Sequence, residues 1–386
     1  MTELVGDWNF PTLIRFGAGR ISELPEVLAM FGLKRPLLVT DEGLAGLPML
    51  TDIVDGLSSA AVDVQLYSNV QGNPTLANVL DGVALYHRTD RDSVIALGGG
   101  SALDAGKTIA FLTGQSGTLW DYVDGDDAWM RANPDGVAPV LAVPTTAGTG
   151  SEVGRAAVIL DEQANRKRVV WHPRMMASLV ISDPELSIGL PANLTAWTGI
   201  DALVHAVEAY TSPVFHPMAE GIAIQGIRTV ARWLPTAVAD GTNIDARANM
   251  LVAASMGATA FQKGLGSVHA ISHSVGALYN THHGLTNAVV LPYGLEQNLP
   301  ACAEKLEQLA RILALPSETA MGFIDYIYGL RERLDIPNTL AEIGVPDECA
   351  GDIARMSLED PTAETNAMPL SVGEYEALFL RSQSGS

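Results

Sequence analysis

A chain of 386 residues is long enough for two domains, each with its own core. Its 44 acidic and 23 basic residues leave a formal charge of −21, a surface that repels phosphate backbones and anionic lipid and excludes nucleic acid and membrane surfaces as partners. With 47% hydrophobic and 17% charged residues it is no disordered chain, and no apolar run reaches the roughly 18 residues of a membrane span.

The opening MTELVGDWNFP lacks the basic and apolar regions of a signal peptide. The two cysteines, Cys302 and Cys349, have no paired-ligand spacing. Both features predict a reducing, cytoplasmic setting without a disulfide framework. Residues 1–188 alternate short β-rich runs with helical segments, the pattern of an α/β domain with a parallel sheet. Arg35 to Asp41 reads as the first buried strand, and it ends on an acid. Asp41 could accept from a ribose hydroxyl and repel a 2′-phosphate, favouring NAD over NADP, or it could cap the next helix. Val64 to Val70 reads as a second strand, with Asn73 in the turn that follows it.

Asp92 to Leu97 runs as a third strand into Gly98, Gly99, Gly100 and Ser101, where a helix begins. Bare backbone amides at a helix N-terminus make a seat for a pyrophosphate, although GGGS alone could be a tight turn and the spacing is not G-x-G-x-x-G. Asp104 and Lys107 read as supports of this loop rather than as chemistry. A further strand, Val140 to Pro144, leads into TTAGTGSE, whose hydroxyls and amides could hold a nucleotide or form a solvated loop. Lys167, in NRKRVVWHP, is one of three adjacent bases.

Leu190-Pro191 marks the boundary, and residues 189–386 carry a helical period. Helices are expected from Ala192 to about Tyr210, then at Ala219–Ala239, Ile244–Phe261, Ala301–Leu315, Thr319–Leu334 and Pro346–Met356. Asp201 and His205 lie four apart on the first of them, and His269 and His273 repeat that spacing in GLGSVHAISHSVGALYNTHHGLTNAVVLP. His282-His283-Gly284 then opens a new apolar run, so another helix can return an imidazole to the first pair. An ionised Asp on an apolar face is costly unless paired or bound to a cation. One carboxylate with two or three imidazoles suits Fe(II) or Zn(II) rather than Ca or Mg. The alternatives are histidines packed in a core, and an Asp201 that caps a helix or pairs a buried Arg. His216 and His282 are assigned no role.

TGIDALVHAVEAY, the histidine stretch, GGGSxxDxxK and PTTAGTGSE together resemble the iron-containing (group III) alcohol dehydrogenases, over nearly the whole chain. The resemblance implies the dehydroquinate synthase-like fold, an α/β dinucleotide-binding domain followed by an all-α domain. It implies a metal, Fe2+ with Zn2+ possible, held by Asp201, His205, His269 and His283. His273 would be catalytic, near the nicotinamide and substrate, or a packed neighbour of the site. Cofactor contacts would come from Asp41, Asn73, Gly98, Gly99, Gly100, Ser101, Thr145, Thr146, Thr149, Ser151 and Lys167. The activity implied is hydride transfer between NAD(H) and a small alcohol or aldehyde, in a homodimer or higher oligomer. Ala, Val, Leu, Phe261 and Tyr279 around the histidines suit an uncharged substrate, with Lys263 and Arg174 the bases a hydroxy acid would use. A dehydroquinate synthase-like lyase is the rival on this scaffold, but it needs a basic pocket. NAMPLS at 366–371 replaces the NPRP of the family, with either substrate reach or packing at stake.

Overall fold

In the computed structural model, which describes residues 12–385, the chain forms two compact units: 12–146 with 150–189, and 147–149 with 190–385. The MTELVGDWNFP opening lies outside the described residues.

The first unit contains β1 (Leu13–Phe16), α1 (Leu24–Met30), β2 (Pro36–Asp41), α2 (Glu42–Ala45), α3 (Pro48–Ser59), β3 (Gln65–Val70), α4 (Leu76–Arg88), β4 (Ser93–Gly98) and α5 (Gly100–Leu112). It continues through β5 (Val140–Pro144), β6 (Ala156–Asp161), β7 (Arg166–Trp171) and β8 (Leu179–Ser182). Six strands form one sheet in the order β1-β8-β5-β4-β2-β3, every pairing parallel. The central strands are covered on both faces, which is why Leu37-Leu38-Val39 and Val94 to Leu97 are continuous apolar runs and not alternating ones. From β2 the chain turns to one side for β3 and to the other for β4. The carboxyl ends of β2 and β4 therefore flank a topological switch point, where open α/β sheets bind ligands. Asp41 and Gly98 are the residues at those two ends.

Two features differ from the sequence expectation. β1 is a four-residue edge strand with mostly exposed side chains, too short and too mixed to carry a period. β6 and β7 form a separate antiparallel hairpin outside the parallel sheet, turned by Asn165 at φ 49, and the basic run that holds Lys167 is its second strand.

The second unit is helical: α6 (Ala192–Thr211), α7 (Pro217–Ala239), α8 (Ile244–Ala260), α9 (Ser267–Tyr279), α10 (His283–Ile312), α11 (Ala320–Arg333), α12 (Ala350–Leu358) and α13 (Val372–Ser384). α6 is the axis of its core, with Ala202, Leu203, Val204, Ala206, Val207 and Ala209 all fully buried. α10 absorbs both Pro292 and Pro300, so the separate helix expected from Ala301 does not exist. Each proline deletes one N–H, and buried residues on both sides (Leu291 and Tyr293, then Asn298 and Cys302) keep the helix packed through the defect. α13 had not been anticipated; its start is a reciprocal cap between Ser371 and Glu374.

Candidate metal centre

The two i, i+4 pairs fall on helices as the spacing predicts. α6 carries Asp201 and His205, α9 carries His269 and His273, and His283 is the first residue of α10. Asn280, at φ 51, ends α9 in the left-handed conformation and lets α10 fold back. Gly284 permits the close approach that follows. A Cβ there would lie 2.5 Å from the Trp197 carbonyl oxygen and 3.2 Å from Asp201 Cβ. Helix α10 thus begins against α6, and the ligand atoms of Asp201, His205, His269 and His283 all lie within 4.8 Å of one another.

Asp201, His205 and His269 are buried, at 3%, 3% and 1% exposure. The His205 and His269 rings stack with centroids 4.6 Å apart, and His283 Nε2 is 3.6 Å from Asp201 Oδ1. Burial holds the His205 imidazole down to about 4, and its Nδ1 has no hydrogen-bond partner among the described residues. Burial also opposes a charge on His269, but the Glu208 carboxylate beside it raises its pKa overall. A carboxylate and three imidazoles whose ligand atoms converge in a buried setting are a donor set that a divalent transition metal fits. Asn287, one turn along α10 from His283, sits among these groups. Its Nδ2 donates to Asp201 Oδ1 at 2.7 Å and lies 3.2 Å from His269 Nε2 and 3.1 Å from His283 Nε2.

His273 lies beside this cluster, its ring stacked on His283 at 5.4 Å. Its Nδ1 is 2.9 Å from Oδ2 of Asp360, a buried acid whose other oxygen accepts from the Thr362 backbone N–H. His216 and His282 are helix caps: the Nδ1 of each accepts a first-turn N–H, from Ala219 and Leu285. Phe261 packs 5.3 Å from the His205 ring, whereas Tyr279 lies against Cys349. Both cysteines are free and buried. In NAMPLS, Asn366 Oδ1 accepts from the Ser267 N–H at the start of α9, and its Nδ2 donates to Asn298, so this segment supports the histidine helix.

In the sheet unit the candidate cofactor residues gather at the strand ends. Asp41 Oδ1 caps α2 through Leu44 N–H at 3.0 Å, the alternative reading for this residue. Its Oδ2 is 3.2 Å from where a Gly98 Cβ would stand, and Gly98 at φ 146 has a conformation that L side chains rarely adopt. Gly99 is the N-cap of α5, and Gly100 and Ser101 are its first residues, so their N–H groups belong to a helix N-terminus. The Ser101 hydroxyl donates to the Gly72 carbonyl, beside Asn73. Thr145 N–H donates to the Gly98 carbonyl at 3.0 Å, which joins the two loops, and Thr146 borders Gly99. Lys167 pairs with Leu160, whose N–H donates to the Pro74 carbonyl one residue from Asn73.

Two candidates sit otherwise than a loop reading suggests. The Ser151 hydroxyl donates to buried Asp104, and the Lys107 amine donates to the carbonyls of Ser151, Gly154 and Ala156. Ser151 is therefore an anchor of its loop. Thr149 groups with the helical unit and not with the sheet unit.

A doubly wound parallel sheet with a glycine-rich turn at a helix N-terminus, and a helical unit with a buried carboxylate–imidazole cluster, have the makings of a protein that uses a nucleotide and a divalent metal. Residues 11–184 match the family described as iron-containing alcohol dehydrogenase, and 195–382 match its C-terminal part. The chain is 36% identical to 4-hydroxybutyrate dehydrogenase of Cupriavidus necator, with 96% of this chain and 98% of that one covered. It is 37% identical to 1,3-propanediol dehydrogenase of Klebsiella pneumoniae, with 97% of each covered. The crystal structure of a 1,3-propanediol oxidoreductase superposes with a TM-score of 0.93 at 37% identity, over 98% of this chain and all of the other. The chain belongs to the iron-containing alcohol dehydrogenase family, whose members are NAD(H)- and metal-dependent oxidoreductases.

Proposed function

We propose that this chain is an NAD(H)-linked alcohol dehydrogenase and aldehyde reductase in which Asp201, His205, His269 and His283 hold Fe(II), with Zn(II) as the alternative that the same donors accept. The observation that carries the reading is the convergence of these four ligand atoms within 4.8 Å in a buried setting. The metal supplies a Lewis acid that makes the substrate hydroxyl more acidic, and the nicotinamide supplies the hydride chemistry.

The chain's own residues do the rest. The first-turn amides of α5, from Gly99 to Ser101, seat the dinucleotide phosphates. Asp41 faces the switch point and disfavours a 2′-phosphate, which supports NAD over NADP. His273, one turn along α9 from His269, is placed to take the hydroxyl proton, and Asp360 orients its ring. Phe261 and the apolar side chains of α6 exclude water.

The substrate is read as a small uncharged alcohol or aldehyde. Lys263, the base an anionic substrate would use in the helical unit, is fully buried. Its amine is held at about 8 by burial and donates to the carbonyls of Ala209, Tyr210 and Ser212. Arg247 is committed as well, to Thr195 and the Leu190 carbonyl. These commitments also count against a sugar-phosphate lyase. No helix among the described residues is long and apolar enough to cross a membrane. A cytoplasmic homodimer or higher oligomer completes the proposal, and sedimentation velocity reads the oligomer directly.

The test is anaerobic purification, metal analysis, and NADH formation with 1,3-propanediol and 4-hydroxybutyrate side by side. One metal per chain and faster turnover of the diol are expected. His269→Ala should lose both metal and activity; retention of full metal would refute the ligand assignment.

A further inference from the structure

The three imidazoles of the cluster differ at Nδ1, where two have a partner and one has none among the described residues. His269 Nδ1 meets Glu208 Oε2 at 2.5 Å, His283 Nδ1 meets the Ser272 hydroxyl at 3.1 Å, and His205 Nδ1 meets no partner. Glu208 is not one of the four converging groups, yet its side chain is only 5% exposed. It lies on α6 three residues beyond His205, on the same face. Its Oε1 accepts from the Val268 N–H at 2.8 Å. Both oxygens are thus held by the first turn of α9, where free N–H groups and the helix dipole favour a negative charge.

This arrangement determines which nitrogen of His269 carries the hydrogen. With Nδ1–H given to a carboxylate, the lone pair stands on Nε2, the ring edge that meets Asn287 and the other ligand atoms. Glu208 cannot be a fifth ligand from this position, because Oε2 is engaged at the opposite edge of the ring. Capping α9 would need only one of its oxygens.

We infer that Glu208 is a positioning residue of the metal centre: through its hydrogen bond to His269 Nδ1 it fixes the tautomer and orientation of that ligand and sets the metal affinity of the site. The inference deepens the metal reading above and rests on it. It also ranks the supports, since a carboxylate holds an imidazole N–H more strongly than a neutral hydroxyl does.

The probe is Co(II) alone, titrated into the full-length apoprotein against a chromophoric chelator, with the metal-free melting temperature measured in parallel. Glu208→Gln keeps the length and one carbonyl oxygen but removes the charge. It should raise the Co(II) dissociation constant by about tenfold to a hundredfold, with Ser272→Ala raising it less. Unaltered Co(II) affinity in Glu208→Gln, with a lowered metal-free melting temperature, would make Glu208 a helix cap only and overturn the inference. If that variant does not fold, NMR of isotope-labelled histidine in the Zn(II)-loaded parent decides the matter. A proton on His269 Nδ1 supports the inference and one on Nε2 refutes it. A parent that takes up no Co(II) sinks the metal reading and this inference together, whereas a parent that binds it as tightly as Glu208→Gln sinks only the inference.

Discussion

The two carboxylate oxygens of Asp41 have different neighbours, and the proposed role of each can be tested. Oδ1 caps α2 and Oδ2 faces the glycine turn at Gly98. Asp41→Ala should therefore cost about 1 kcal/mol through the lost cap. On the proposed role of Asp41 it should also raise kcat/KM for NADP relative to NAD, because a charge that would repel a 2′-phosphate is gone. An unchanged cofactor ratio would confine Asp41 to capping. Residues of this kind divide sharply in how far the sequence reveals them. Asp201 with His205, and His269 with His273, were recoverable because a helical period puts i and i+4 on one face. Glu208 and Asn287 carried the same local signal, three residues past His205 and four past His283, but a carboxylate or amide near a histidine is too common to stand out. Asp360 carried no local signal at all. It is 87 residues from His273 and meets it only through the tertiary fold.

The element that decides the site is the start of α10, where backbone packing and ligand placement are one event. Gly284→Ala would drive a methyl into the Trp197 carbonyl and displace His283 from α6. A loss of about 1–3 kcal/mol in thermal or denaturant unfolding is expected, together with weaker Co(II) binding. Gly329→Ala, inside α11 with open space at its Cβ, is the control. It should leave metal binding alone and stabilise the fold by up to about 1 kcal/mol. Equal behaviour of the two variants would mean that helix approach at Gly284 does not control the centre. The same contrast explains which elements could be read beforehand. β2, β4 and β5 announced themselves as unbroken apolar runs because both faces are covered. β1 is exposed at an edge and β7 carries a run of bases, so neither shows a burial period, whereas β6 alternates in burial but hides it because Ala156 to Leu160 are all apolar. α10 was misdivided because proline rules describe local cost, and burial on both sides of Pro292 and Pro300 overrides it.

At the scale of the whole molecule, the cores follow the two units. One apolar cluster, from Ala196 to Phe379, belongs to the helical unit, and two, spanning Leu24 to Leu186, belong to the sheet unit. All four proposed metal ligands lie in the helical unit. Most proposed nucleotide contacts, Asp41 and Gly98 to Ser101 among them, lie in the sheet unit. Ligands that bind only the native form stabilise the cooperative unit that holds them, by about 4 kcal/mol when present at about a thousand times the dissociation constant. Calorimetry of the apoprotein should therefore resolve two transitions. A divalent metal should raise the one belonging to the helical unit and NAD the other, and chelation should reverse only the first shift. A single transition moved equally by either ligand would mean that the two cores unfold as one, and the assignment of each ligand to its own cooperative unit would fail.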